Sequence, residues 1–194
     1  MTVFQTEHIL SYLTIYKIDK TSNDYDIHHM VGSMTKGIDR PLYMDIEDDD
    51  TKVLFLRTPE LPGICNDITI LYQEKEKEVN TDIGLPYVMT VRVSPQIRKR
   101  DTGKLHNMVS PGQDVGVVVH DWLMRKSELN GFRIIPNTLN ITKRKHVYSS
   151  NGTMIPRVDV ECVIKITDCK KFKSVIGGGL GRGKSYGCGM ILLQ

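Results

Sequence analysis

The 194-residue sequence lacks several features that would define a function class early. No uninterrupted apolar run approaches the ~18 residues of a membrane-spanning helix, so a helical membrane protein is excluded and no membrane partner is expected. The opening residues Met1–His8 are polar and include Glu7, so no secretory signal is read and a soluble, cytoplasmic protein is expected. Four cysteines, Cys65, Cys162, Cys169 and Cys188, stand far apart with no C-x-x-C pair. A zinc knuckle needs close pairs and a disulfide framework needs an oxidising compartment, so the cysteines read as small buried apolar residues. The acidic run Glu47-Asp48-Asp49-Asp50 reads as a solvated turn rather than a cation site, and neither metal nor cofactor is expected.

Net charge is also small, at +3, but it hides an asymmetry. Up to Pro86 the chain carries 8 Lys/Arg against 16 Asp/Glu, and beyond it 18 against 7. A basic second half suggests contact with a polyanion, nucleic acid being the commonest for a soluble protein, or docking onto an acidic partner.

Each half reads as β-α-β-β with further elements. In the first, Ile9–Tyr16 alternates as a strand, and Ser22-Asn23-Asp24 supplies cap chemistry for a helix over Asp24–Met34 that Gly37 should stop. Leu42–Ile46 and Val53–Arg57 form a hairpin, and Asp67–Gln73 is a strand whose charged tail Glu74–Glu78 should face water. Gly84-Leu85-Pro86 marks the boundary. In the second half Tyr87–Val93 is a strand, followed by the basic loop Arg98–Lys104. Val115, Val118, Val119, Trp122 and Leu123 mark one face of a helix over Asp114–Leu129. Phe132–Ile135, Leu139–Tyr148 and Arg157–Thr167 are strands, Asp168 caps a short helix through Ile176, and Tyr186–Leu193 is a closing strand. The expected fold is therefore α+β: two tandem ferredoxin-like (RRM-like, split βαβ) domains, 1–86 and 87–194.

Residues 177–189 read GGGLGRGKSYGCG, seven glycines in thirteen. Gly178 through Gly183-Lys184-Ser185 spells the P-loop expression, whose phosphate cradle requires a preceding strand and a following helix. The nine residues after Ser185 read as a strand, so an NTPase is excluded on context. A loop whose N–H groups, with Arg182 and Lys184, contact a phosphodiester backbone is the expectation; a tight helix-to-strand connection that binds nothing is the alternative.

The run Gly179-Leu180-Gly181-Arg182-Gly183-Lys184-Ser185-Tyr186-Gly187-Cys188-Gly189, followed by apolar Met190–Leu193, resembles the C-terminal signature of the CRISPR-associated RAMP proteins. Gly84-Leu85-Pro86 leading into Tyr87–Pro95 is similar to the family's entry into its second domain, and length favours the CasE branch, the repeat-RNA processing endoribonucleases of type I-E Cascade. The resemblance implies binding of CRISPR repeat stem-loop RNA, metal-independent cleavage beside the stem leaving a 2′,3′-cyclic phosphate, and retention of the product among other Cascade subunits.

A metal-free ribonuclease needs a group that takes the ribose 2′-hydroxyl proton or protonates the leaving 5′-oxygen, and histidine suits both. Of six histidines, His120 falls in the apolar helix window and reads as structural, while His8, His106 and His146 have no evident partner. His28 and His29 follow the first helix cap. Tyr25 and His28 are three apart and project from one helix face. The resemblance, whose catalytic histidine lies in a Y-x-x-H pattern of the first helix, implies Tyr25 and His28 as the catalytic pair; His29 is the alternative in the doublet. RNA-binding residues are expected at Arg98, Lys99, Arg100 and Lys104, at Lys143, Arg144 and Lys145, and at Gly179, Gly181, Arg182, Gly183 and Lys184, with Lys170, Lys171 and Lys173 a further basic cluster. With 7% aromatics, electrostatics should outweigh base stacking. A non-cleaving RAMP-fold RNA binder, or a viral mimic of the processing subunit that interferes with CRISPR defence, is the competing class.

Overall fold

A computed structural model describes the chain except residues 1–10, 48–49, 66–67, 77–82, 99–104, 111, 149–151 and 153, together with the side chains of Ile97, Arg98 and Leu105. The chain divides into two compact units, Met1–Pro41 with Asp45–Asn80, and Leu42–Met44 with Thr81–Gln194.

The first sheet and its helix run β1 (Ser11–Ile18), α1 (Asp24–Met34), β2 (Leu42–Glu47, whose Leu42–Met44 belong to the second unit), β3 (Lys52–Thr58) and β4 (Thr69–Glu76). The sheet order is β2-β3-β1-β4, with β1 antiparallel to both β3 and β4. This is the ferredoxin-like order. The span from Pro59 to Cys65, where the second crossover helix of that fold would lie, is not helical. Helix α1 starts where local chemistry dictates. Asn23 Oδ1 accepts from the Tyr25 and Asp26 N–H groups at 2.8 and 3.1 Å, and Asp26 returns a carboxylate to the Asn23 N–H at 2.9 Å. That reciprocal cap satisfies donors the first turn otherwise leaves orphaned. Ile27, Val31 and Met34 form its buried face, 1–3% exposed, each stabilising the packed helix by about 1.5–3 kcal/mol. The helix stops at Thr35, whose hydroxyl and N–H both reach the Val31 carbonyl, two residues before the expected Gly37. Lys52 Nζ on β3 donates to the Ser22 carbonyl at 2.6 Å and ties the cap to the sheet.

The charged tail after Gln73 does not simply face water. Strand β4 continues through Glu76, whose carboxylate accepts from Arg57 Nε at 2.8 Å and Nη2 at 2.9 Å and from the Ser11 hydroxyl. Sheet register brings β3 and β4 to either side of β1 and sets this fork-on-fork geometry.

The second unit comprises β5 (Pro86–Val93), β6 (Gln96–Arg98), β7 (Leu105–Asn107), α2 (Val115–Leu129), β8 (Phe132–Ile134), β9 (Asn140–Tyr148), β10 (Met154–Ile166), α3 (Cys169–Gly178) and β11 (Ile191–Leu193). The order β11-β5-β10-β8 is again ferredoxin-like. Strand β10 is long enough to pair β8 through Ile164–Ile166 and β9 through Met154–Glu161. Its alternation is clean: Val158, Val160, Cys162, Ile164 and Ile166 are buried with Met89, Val91 and Val93 of β5, Val119, Trp122 and Leu123 of α2, and Phe172, Val175 and Ile176 of α3. On the opposite face Arg92 forks onto Asp159 at 2.6 and 2.9 Å with 4% of its side chain exposed. Asp168 caps α3, as read from the sequence, and Asp114, expected as the first residue of α2, is its N-cap. Two expectations fail. The closing strand is only Ile191–Leu193, because Gly187 and Gly189 take φ of +72° and +88°, which no strand accommodates. His120 is not a core residue: its side chain is 51% exposed and lies 3.2 Å from Asp121.

Candidate functional site

On α1, the first unit exposes Tyr25, His28 and His29 beside the N-cap. Tyr25 is 65% exposed. Its ring sits 4.2 Å from that of His29, tilted by 54°, while the two imidazoles are 6.0 Å apart and near perpendicular. The sequence reading grouped Tyr25 with His28; the ring contact is one turn on, at i+4, and was missed because i+3 and i+4 share a helix face. Placement at the helix start leaves these rings in water on a rigid, capped support. Such groups can exchange protons with a bound ligand at little conformational cost.

The glycine segment of the second unit is a shaped connector. It follows helix α3 rather than a strand, and Lys184–Tyr186 form one 3-10 turn, so the P-loop context is absent. Gly179, Gly181, Gly183, Gly187 and Gly189 all have φ between +72° and +88°. A Cβ on Gly181 would meet Trp122 at 2.9 Å, and one on Gly179 would meet Leu42 at 2.7 Å. Tyr43 Oη donates to the Ser185 carbonyl at 2.8 Å, and the Gly189 N–H donates to Arg92 O at 2.7 Å. These contacts fix the loop against its own unit. The Leu180 and Gly189 N–H groups turn inward, whereas those of Gly181, Arg182, Gly183 and Ser185 donate to nothing among the described residues. Arg182 is exposed and Lys184 half-buried beside them. Backbone N–H groups without protein acceptors, beside two cations, suit an anion.

Lys143, Arg144 and Lys145 lie exposed on β9. Lys99, Arg100 and Lys104 fall outside the described residues, and Arg98 ends β6. Lys170, Lys171 and Lys173 are exposed on α3, with Lys171 3.5 Å from Asp168. Among the described residues no cluster of three or more His, Cys, Asp or Glu side chains is arranged to hold a metal ion.

A sequence model of CRISPR-associated proteins matches residues 9–194. The chain belongs to that family. No curated protein sequence matches it. Among solved structures, this CRISPR-associated chain is similar to Thermus thermophilus Cse3 bound to an RNA representing a pre-cleavage complex, with TM-score 0.81, 17% identity, and 95% of this chain and 98% of that one covered. Cas6e of Escherichia coli K-12 matches at TM-score 0.71 and 18% identity over 94% and 98% of the two chains. A chain of E. coli Cascade bound to a PAM-containing dsDNA target matches at TM-score 0.54 and 16% identity over 93% and 96%. The family read from the glycine motif is thus correct, and the tandem ferredoxin-like α+β fold is shared with Cse3 and Cas6e.

Sequence reasoning missed three features of this family member. One is the Tyr25–His29 contact. The second is the wedge of Trp122 against Gly181, for which a lone tryptophan on the apolar face of α2 was the available signal. The third is the Arg92–Asp159 fork, whose partners are 67 residues apart and are joined only by the register of β5 on β10.

Proposed function

We propose that the protein is a metal-independent endoribonuclease that binds CRISPR repeat RNA and cuts it beside a stem-loop to release guide RNAs. The observation that carries the reading is end-to-end similarity to RNA-bound Cse3, joined to an exposed histidine on a capped first helix. The ribose 2′-oxygen attacks the adjacent phosphorus, the P–O5′ bond breaks, and a 2′,3′-cyclic phosphate and a 5′-hydroxyl result. His28 exchanges the proton of this displacement, and Tyr25 orients the hydroxyl or the scissile phosphate. In this reading residues 1–86 carry the acid/base group. Residues 87–194 hold the RNA through Arg98–Lys104, Lys143–Lys145 and the N–H groups of the glycine loop with Arg182 and Lys184. Product is retained and passed into a Cascade assembly.

The test is incubation with stem-loop repeat RNA in EDTA. Wild type should cleave, and the new 3′ end should resist phosphatase until acid opens the ring. His28→Ala should lose about 10²–10⁴-fold in rate. Cleavage that survives in His28→Ala but not in His29→Ala moves the acid/base role to His29.

One observation favours a second reading. Tyr25 is engaged by His29, and a pair so occupied suits a non-cleaving RNA binder, or a mimic of the processing subunit that interferes with CRISPR defence. Tight binding with every transcript intact would establish that reading and refute the nuclease.

A further inference from the structure

Strand β9 is an open edge. Among the described residues it pairs only β10, it carries three cations and no acidic residue, and all its side chains from Thr142 to Tyr148 are exposed except Val147. Strand alternation sorts those side chains into two rows. Lys143 and Lys145 stand opposite Asp159 and Arg157 on one face, and Arg144, His146 and Tyr148 stand opposite Val158, Pro156 and Met154 on the other. The register shift between Asp159 and Val160 ends this order at its Thr142 side. The second row therefore holds three planar groups in sequence, a guanidinium, an imidazole and a phenol. Tyr148 is 69% exposed, and none of the three has a side-chain hydrogen bond, ion pair or ring contact among the described residues.

Residues on one face of a strand repeat every ~6.6 Å, close to two steps of a stacked nucleic-acid strand at ~3.4 Å each. Planar side chains at that interval are in step with alternate bases. Bases of single-stranded RNA bind by stacking on aromatic rings and guanidinium planes, whereas duplex hides those faces. We propose that Tyr148, His146 and Arg144 form a base-stacking platform for a single-stranded RNA segment lying along the open edge of β9, with its phosphates toward Lys143 and Lys145. This rests on the RNA-binding reading above and revises it in two ways. Arg144 leaves the phosphate set, and stacking, expected to be minor from aromatic content, becomes a local source of affinity. A chain poor in aromatics still stacks well where one exposed tyrosine and its planar neighbours share a row.

The experiment uses the full chain with a single-stranded oligoribonucleotide carrying 2-aminopurine at successive positions, and a blunt RNA duplex for comparison, at 50–200 mM KCl. Tyr148→Leu should weaken single-strand binding about 5- to 150-fold and abolish 2-aminopurine quenching at one or two positions, with the salt slope unchanged. Tyr148→Phe should restore both. Duplex affinity should not change. Lys143→Gln with Lys145→Gln should instead lower the single-strand salt slope by roughly 0.7 per charge. Because Tyr148 is exposed, the fold should persist, which Trp122 emission reports. Wild-type RNA binding that Tyr148→Leu and His146→Leu leave intact, in affinity and quenching, overturns the platform alone. A Tyr148→Leu loss that Phe does not rescue, or that alters the salt slope, also overturns it. A wild type that binds no RNA overturns both the platform and the function proposed above.

Discussion

Gly181→Ala separates a glycine required by shape from a glycine that only accompanies a motif. Position 181 has φ of +80°, where an alanine costs roughly 1–2 kcal/mol relative to right-handed backbone. Its Cβ would also sit 2.9 Å from both Cη2 and Cζ2 of Trp122, a ring 6% exposed that cannot swing into solvent. Overpacking of this kind costs about 1–3 kcal/mol, so the loss should total about 2–5 kcal/mol. At a urea slope of about 2 kcal/mol/M the midpoint falls by roughly 1–2.5 M. Trp122 is the sole tryptophan, so its fluorescence follows the perturbed unit directly and its native emission should shift as well. Gly177→Ala is the internal control. Gly177 lies in α3 with nothing within 4 Å of an added Cβ, and alanine should be neutral or stabilise by about 0.5–1 kcal/mol. If Gly181→Ala unfolds at the wild-type midpoint with unchanged emission, the loop is not wedged as described and the packing account of its glycines fails.

Other perturbations follow the same physics. Burial raises the Glu76 carboxyl, but hydrogen bonds and charge from Arg57, with the Ser11 hydroxyl, outweigh it, so the pKa lies below the ordinary value. Its stabilisation should be complete above about pH 4.3, the unfolded-state pKa, and disappear as pH falls through the folded one. Glu76→Gln should thus destabilise at pH 7 by about 3 kcal/mol, by removing the carboxylate that faces a guanidinium 7% exposed, and converge on wild type in acid; a constant difference across pH refutes the linkage. Asp159→Asn should cost about 3–5 kcal/mol by leaving Arg92 buried without its carboxylate, a loss visible in the Trp122 unfolding curve, and an unchanged curve would show that the fork contributes nothing. Burial pushes the Cys162 thiol up to about 12, so at pH 8 iodoacetamide should label it only after unfolding, as mass spectrometry of digests would show; native labelling would contradict its burial.

Much of the fold was legible because its signals are local. The bounds of α1 follow from Asn23, Asp26 and the Ile27-Val31-Met34 spacing, and α2 follows from Asp114 and the stripe through Leu123. The failures have a common cause in partners remote along the chain. Nothing near Glu76 names Arg57, and nothing near Arg92 names Asp159; both pairs exist because antiparallel registers carry them together. The closing strand is shorter than its sequence pattern suggests because Tyr186, Cys188 and Met190 alternate with other residues as a strand would, while the positive φ of Gly187 and Gly189 is a property of the folded loop. At the candidate site the elements were readable but rotamers were not. Helical spacing puts both His28 and His29 within reach of Tyr25, and only the ring geometry selects His29 as its contact. On β9 the three consecutive cations read as one patch. The pleat divides them, giving Lys143 and Lys145 one direction and Arg144 the other.

The glycine motif shows how a signature can report a family truly while its residues serve a different physical purpose from the one the spelling suggests. Read as a cradle, each glycine would lack a side chain so that a ligand could approach. In the fold, Gly179 and Gly181 lack one because Leu42 and Trp122 occupy the space, and Gly189 because the Leu180 carbonyl lies 2.8 Å from where its Cβ would be. Those constraints come from inside the unit and persist with no ligand bound. What they leave is a short stretch in which the N–H groups of Gly181, Arg182, Gly183 and Ser185 donate to nothing among the described residues, beside the Arg182 and Lys184 side chains. Shape and anion site are then coupled in one direction. A substitution that forces the loop off Trp122 must displace these N–H groups and weaken any phosphate contact, whereas Arg182→Gln, at an exposed position, removes charge and leaves the unfolding curve in place. A variant set in which RNA affinity falls with stability for Gly181 but falls alone for Arg182 would establish that order of cause.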